Sequence, residues 1–341
     1  MKTRESCIDV LRCLATIAVV FYHCGPDSSS GILPYQLIEL LLNWCVPIFL
    51  MITGFLFLGD DRELTIKEIT QRTVRFLMII IVWGMVYNLI SLTIINGFSF
   101  RTVIKSIIMT ICADTTYAYQ FWYLYLLVGL YLILPVVKPW VTKILAKEKP
   151  GLEIKWYFIF ILIVAIIIPN IFAITNYTGS FWKGAFSVYS GFGFYLLCGA
   201  YLRRWRLLST ERIFLLISVI GIASFIIYNF LNETPENNTG LYGYTTYFTW
   251  AVSMLLFDTV RRIDLEKYNT KINSFFRVLS KYSLGIYILH PMVLQVLRKL
   301  GFGYESMNPW LFPLLIVPLT VVACIIISYC IKHIKLIKNL V

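Results

Sequence analysis

The sequence predicts an all-α fold: a polytopic membrane helical bundle of about ten transmembrane helices, with the N and C termini both cytoplasmic. Composition, the length of the apolar runs and the placement of basic residues predict it together. Hydrophobic residues make up 59% of the 341 and charged residues only 14%, with a mean hydropathy of +0.76. A soluble domain carries about a quarter charged residues. A hydrocarbon core about 30 Å thick needs about 20 helical residues to cross it. The runs here are continuously apolar at that length rather than alternating, which selects helices over a barrel.

Taken in order, the spans fall near 7–25, 34–58, 76–96, 120–138, 156–174, 183–202, 212–231, 245–262, 278–298 and 310–331. The basic residues test this division loop by loop. If the N-terminus lies inside, 24 of the 30 fall in inward segments: Lys2 and Arg4, the group from Arg62 to Arg75, five lysines from Lys138 to Lys155, four arginines from Arg203 to Arg212, six residues from Arg261 to Lys281, and Lys332, Lys335 and Lys338. Five fall outside (Arg101, Lys105, Lys183, Arg298, Lys299), and Arg12 alone lies within a span. An excess that alternates through every loop is the mark of an even number of crossings. The outward loop at 97–119 is long enough for a small amphipathic helix. Residues 1–341 read as a single transmembrane domain with no soluble domain appended.

The formal charge of +12 raises the question of nucleic acid. The basic residues sit in short loops between apolar runs and are not interleaved with aromatics on a soluble segment, so no nucleic-acid partner is expected. The eight cysteines form no C-x-x-C pair and no Cys/His cluster of zinc spacing, so no metal is expected. They read as buried thiols, with a Cys24–Cys112 disulfide as the one pairing open to outward-facing residues. Sequons at Asn176, Asn232 and Asn237 fall in outward loops. The GFG run at Gly191–Gly193 lacks the context and third glycine of a nucleotide fingerprint and suits close helix packing instead.

The first span carries Asp9, Arg12, Thr16 and His23 in an otherwise apolar helix. The eleven steps from Arg12 to His23 return to within about 20° of one direction, and Asp9 lies one turn below Arg12 at a spacing that permits an ion pair. An ionisable group deep in a span costs about 2.5–3.5 kcal/mol and so faces the bundle interior or a wet cavity. Arg12 as a snorkelling anchor paired with Asp9 is the structural alternative, and His23 as a neutral packing residue is another. Histidine is also the side chain best suited to take a proton from a hydroxyl near neutral pH.

Arg12-x10-His23, with Arg4 before it, resembles the opening of the acyltransferase-3 family of bacterial integral membrane O-acyltransferases. Arg72-x-x-Arg75 resembles the R-x-x-R motif of that family's third span. Val46-Pro47-Ile48-Phe49 with Thr53-Gly54-Phe55, Phe121-Trp122-Tyr123-Leu124, and Ser283–Pro291 are similar to its second, fourth and ninth spans. The likeness runs from the first residues to the last span. Two positions depart from it: family members often have Ser where Thr53 stands and His where Gln120 stands.

The resemblance implies transfer of an acyl group, most often acetyl from acetyl-CoA as co-substrate with no permanently bound cofactor. The acceptor would be a hydroxyl of a cell-surface glycan or lipid-linked sugar, and the protein would sit in the bacterial cytoplasmic membrane with the lipid bilayer as its partner. It implies His23 and Arg12 as catalytic residues, and the i,i+3 spacing adds Asp9 to them as the partner of Arg12. Arg72 and Arg75, one turn apart, can fork onto the phosphate oxygens of an acyl-CoA, or serve as positive-inside anchors. Trp122, Tyr123 and His290 would line the acceptor site, against the alternatives of an interfacial aromatic belt and a helix-packing histidine. Pro291 cannot donate to the helix ladder, which loosens the turn that carries His290. A proton-coupled transporter or flippase of a sugar or small solute, and a ligand-sensing module, are the competing functions; no internal repeat of the transporter kind is visible.

Overall fold

The computed structural model describes residues 6–26, 33–114, 116–146, 150–169, 171, 191–231, 243–263, 270–335 and 337–341; among them there is no strand. The helices are α1 (Ser6–Cys24), α2 (Leu33–Leu42), α3 (Cys45–Phe57), α4 (Ile66–Asn96), α5 (Phe100–Ile111), α6 (Trp122–Leu145), α7 (Leu152–Leu162), α8 (Gly191–Arg204), α9 (Ser209–Leu231), α10 (Tyr247–Arg262), α11 (Thr270–Lys299) and α12 (Phe312–Lys332). The sequons and Lys183 lie outside the described residues.

The expected all-α bundle is present, and its spans differ from the sequence expectation in detail. By length and composition, six described helical stretches can cross a membrane: α1, Pro34–Phe57, α4, Tyr119–Leu145, Ser209–Tyr228 within α9, and α12. The expected fifth and sixth spans run into residues outside those described. Helix α10 has 16 residues, fewer than a straight crossing needs. Helix α11 is long, at 30 residues, but interrupts its apolar surface with Ser280, Lys281, Ser283, His290 and Gln295.

The expected second span is two helices. Asn43 and Trp44 form a turn between α2 and α3, and Pro47, three residues into α3, has no N–H to offer the Asn43 carbonyl. The expected third span begins ten residues early. Thr65 Oγ1 accepts from the Glu68 N–H at 3.2 Å, a T-x-x-E cap that starts α4 well before its apolar stretch. Its 31 residues rise about 46 Å, so Arg72 and Arg75 ride on an ordered helix rather than a loop. Helix α7 continues into a π-helical turn at Ile163–Ile167.

The small helix expected in the 97–119 loop is α5. Its Thr102, Ser106 and Thr110 are buried while Phe100, Ile104, Ile108 and Ile111 are exposed, the reverse of a soluble helix. Asn88 Nδ2 donates to Thr110 Oγ1 at 3.1 Å, fixing the polar face inward and leaving the apolar face for lipid.

Helix α1 is central and packs against α2, α3, α10, α11 and α12. Beside it α3 and α8 meet backbone to backbone: a β-carbon on Gly54 would overlap the Leu196 carbonyl, and one on Gly199 would overlap that of Met51. The absence of side chains is what allows this approach. The glycines that pack are therefore Gly54 and Gly199. Of the GFG run, Gly191 is crowded by Thr245, while Gly193 faces open space.

All eight cysteines are free. The Cys24–Cys112 pairing does not form, because Cys24 is buried with Sγ directed to the Phe21 carbonyl at 3.0 Å and Cys112 is exposed. Thiols inside a helical ladder find a carbonyl at hand, and Cys13 does the same with the Phe276 carbonyl at 3.1 Å.

Candidate active site

The stripe on α1 is assembled against α11. Asp9 is buried, 5% exposed, and Ser280 Oγ donates to its carboxylate at 2.7 Å. Arg12 Nη1 donates to the same Ser280 oxygen at 3.2 Å. Ser280 thus bridges the pair that the i,i+3 spacing brought near each other, and ties α1 to α11. Thr16 turns its hydroxyl back to the Arg12 carbonyl at 2.7 Å. The guanidinium of Arg12 lies within electrostatic reach of the Tyr123 and Tyr131 hydroxyls.

At the other end of α1, His23 sits in the last turn, where helix carbonyls lack partners. Arg298 Nη2, from the last turn of α11, lies 3.2 Å from the Cys24 carbonyl and 3.3 Å from that of Gly25. A cation here satisfies the orphan carbonyls and the negative end of the helix dipole. The charge count places Arg298 simply among the outward basic residues, and its capping role needs the fold to be seen.

The His23 ring is enclosed by aromatic rings. His290 stacks on it with centroids 5.4 Å apart and planes 25° apart. Tyr22 and Tyr119 approach edge-on at 5.1 and 5.2 Å. His23 as a whole residue is half-buried.

His290 is fully buried and its orientation is set by Pro291. A normal residue at 291 would donate its N–H to the Tyr287 carbonyl; proline cannot. His290 Nδ1 takes that carbonyl at 2.8 Å, with the Ile286 carbonyl at 3.1 Å. Two carbonyls can only accept, so Nδ1 carries the proton and Nε2 is the bare acceptor. That Nε2 is buried with no hydrogen-bond partner. His290 therefore packs in the helix and faces His23 as well.

Tyr123 is buried with its ring 5.9 Å from that of Tyr287, which stands 6.2 Å from His290. Trp122 lies one ring further out, 5.5 Å from Tyr244, which stacks at 5.9 Å on Tyr22. Both sequence-predicted aromatics thus join the wall of the chamber rather than its inner face. Tyr22, Tyr119 and Tyr287 are the inner face; aromatic residues abound in this chain, and nothing in the sequence distinguishes these three.

Arg72 and Arg75 are exposed and separately engaged. Arg72 pairs with Glu68 at 3.3 Å and lies over the Phe57 ring at 4.8 Å, while Arg75 Nε donates to the Asn339 carbonyl at 3.1 Å. Arg72 and Arg12 both lie within electrostatic reach of Tyr131, so a line of polar side chains runs Arg72, Tyr131, Arg12, Tyr123, Tyr287 to the histidines. The described residues hold no group of three or more His, Cys, Asp or Glu suited to a metal ion.

A cavity of about 1070 Å³ lies elsewhere, between α7, α8, α9 and α10. Its walls are mainly apolar, with the Lys155–Glu211 ion pair (3.2 Å) at one end. No histidine lines it.

Comparison with protein-family models finds a match over residues 5–329 to one described as an acyltransferase domain. No curated protein and no solved structure matches the chain.

Proposed function

This chain belongs to the acyltransferase-3 family, and from that premise we propose that it moves an acetyl group from acetyl-CoA to a hydroxyl of a cell-surface or lipid-linked glycan. The observation that carries the proposal is the His23 ring, stacked on a second histidine inside an aromatic chamber at the end of a polar line of residues. A general base needs to be reachable by substrate and shielded from bulk water. Aromatic walls also suit the faces of sugar rings.

The donor's phosphates bind at Arg72 and Arg75, where a diphosphate would displace Glu68 from the Arg72 fork. The thioester arm lies along Tyr131 and Arg12. His23 takes the proton of the acceptor hydroxyl, and Arg12 keeps the channel electropositive with Asp9 and Ser280 holding its guanidinium in place. The excess of basic residues in alternate segments supports the donor end being cytoplasmic and His23 lying in the outer half of a bacterial cytoplasmic membrane. Family membership favours acyl transfer over the transporter and sensor alternatives.

The test uses purified protein, labelled acetyl-CoA and lipid-linked glycan acceptors. Wild type transfers label. His23→Ala, melting as wild type does, loses about 10²–10⁴-fold in kcat, and Arg72→Ala raises KM for acetyl-CoA. Wild-type protein that neither transfers label nor cleaves acetyl-CoA with any acceptor would overturn the function, and His23→Ala at the wild-type rate would remove His23 as the base.

A further inference from the structure

The base has a chamber, but acyl transfer also needs a donor for the oxygen that becomes negative in the transition state. Gln120 is the residue on which the surroundings converge. It is buried, 2% exposed, between Tyr119, whose ring lies against His23, and Phe121, whose ring meets Tyr87 at 5.7 Å. Its backbone carbonyl accepts a hydrogen bond from the Tyr287 hydroxyl. Tyr287 is the same residue whose own carbonyl receives the His290 Nδ1 proton. One residue of α11 thus fixes both Gln120 and His290.

The Gln120 side chain is different. The Tyr87 hydroxyl gives its proton to the Ile288 carbonyl at 2.7 Å, so toward the Gln120 carboxamide beside it its oxygen can accept one amide N–H. Oε1 of Gln120 and the second N–H of its amide reach no partner. A primary amide brings two N–H donors and one acceptor, and leaving a donor and the acceptor unmade in a buried site is costly. Such a group in a folded protein calls for an explanation, and a role in binding or catalysis is one. His290 Nε2, an acceptor, is unpartnered as well.

We propose that Gln120 is the oxyanion donor of the acyl-transfer site, a catalytic residue whose Nε2–H binds the carbonyl oxygen of the acetyl thioester. The inference rests on the acyl-transfer reading. As the acceptor oxygen attacks, its proton passes to His23, the new C–O bond forms, and the carbonyl π electrons move onto the oxygen held by Gln120. Collapse of this intermediate re-forms C=O and breaks the C–S bond, and the CoA thiolate leaves with the proton returned from His23. An N–H donor binds an oxyanion more tightly than a neutral carbonyl, so the contact acts on kcat rather than on donor affinity.

The experiment measures kcat, KM for acetyl-CoA and the melting temperature of Gln120→Leu, Gln120→Glu and Gln120→His beside wild type. Removal of one oxyanion donor lowers kcat by about 10²–10³-fold. Gln120→Leu therefore keeps its fold and its KM while kcat falls by that factor, since an apolar side chain removes the partly unpaired amide without adding another. Gln120→His, which retains a ring N–H, is faster than Gln120→Glu, whose carboxylate has none. Wild-type kcat in Gln120→Leu overturns the proposal while the acyl-transfer function stands. If Gln120→Leu does not fold, the order of the other two decides, and a Glu variant as fast as the His variant overturns it. Wild-type protein with no transfer and no acetyl-CoA cleavage overturns both.

Discussion

The chamber at His23 and the cavity between α7 and α10 are both built from helix faces rich in aromatic and aliphatic side chains, and they treat polar atoms in opposite ways. The cavity is roomy, about 1070 Å³, and three pairs of polar groups on its walls are matched: Lys155 with Glu211 at 3.2 Å, Ser218 with Tyr247 at 3.2 Å, and Trp250 with Cys198 at 3.3 Å. At the chamber, Oε1 of Gln120 and Nε2 of His290 are left open. Volume is what a bundle leaves wherever helices diverge, and an apolar void needs no function. Unpartnered polar atoms in a buried wall are expensive, and on the proposed reading a substrate completes those beside His23.

The largest effect that bears on this contrast is expected at the glycine contact supporting both regions, since one face of α8 lines the cavity and the helix packs on α3 beside α1. Gly199→Leu would drive its side chain into the Met51 carbonyl. Backbone cannot yield as a side-chain tip can, so the variant should give no monodisperse protein in detergent, measured by size-exclusion chromatography. A wild-type elution profile and melting temperature would show that α3 and α8 need not touch.

A smaller effect is expected within the chamber's own support. Ser280→Ala removes the hydroxyl between Asp9 and Arg12. A hydrogen bond to a charged group contributes about 1.5–3 kcal/mol, so melting should occur at lower temperature and kcat should fall as Arg12 loses its fixed position. Unchanged melting would mean that Asp9 and Arg12 hold each other without the bridge.

The smallest effect belongs to the cavity. Ile222→Phe adds bulk at a lining position far from the histidines. Change there should leave kcat within about twofold, as for substitutions away from any packed or charged feature. A large loss of acetyl transfer would mean that the cavity takes part in the reaction after all.

Much of the candidate site was legible in the chain as written. Arg12 and His23 share a face because 3.6 residues make a turn, and an arginine within an apolar run must face inward whatever the fold. Pro291 announced a freed carbonyl at Tyr287, although not that His290 would take it. The length of the loop between the third and fourth spans left room for the short helix found there. What could not be read was which of many tyrosines surround His23, that Ser280 bridges Asp9 to Arg12 across 271 positions, or that Arg298 caps the first helix. Those contacts join residues distant in sequence, and local spacing carries no trace of them. The turn at Asn43–Trp44 was missed for a different reason: hydropathy averages over a window and is blind to a break whose flanks are both apolar.

Sequence alone determined that this chain is a helical membrane protein and where its polar stripe lies. Both follow from the cost of placing charge and unpaired backbone in hydrocarbon, which acts on each segment separately. The tertiary structure decided that His290 and Gln120 stand with His23, with Nδ1 of one histidine protonated and Oε1 of the glutamine unmet. That outcome depends on how α11 packs on α1 and on how α4 and α6 meet α11, and packing is a property of the whole set of side chains in contact. No single helix specifies it.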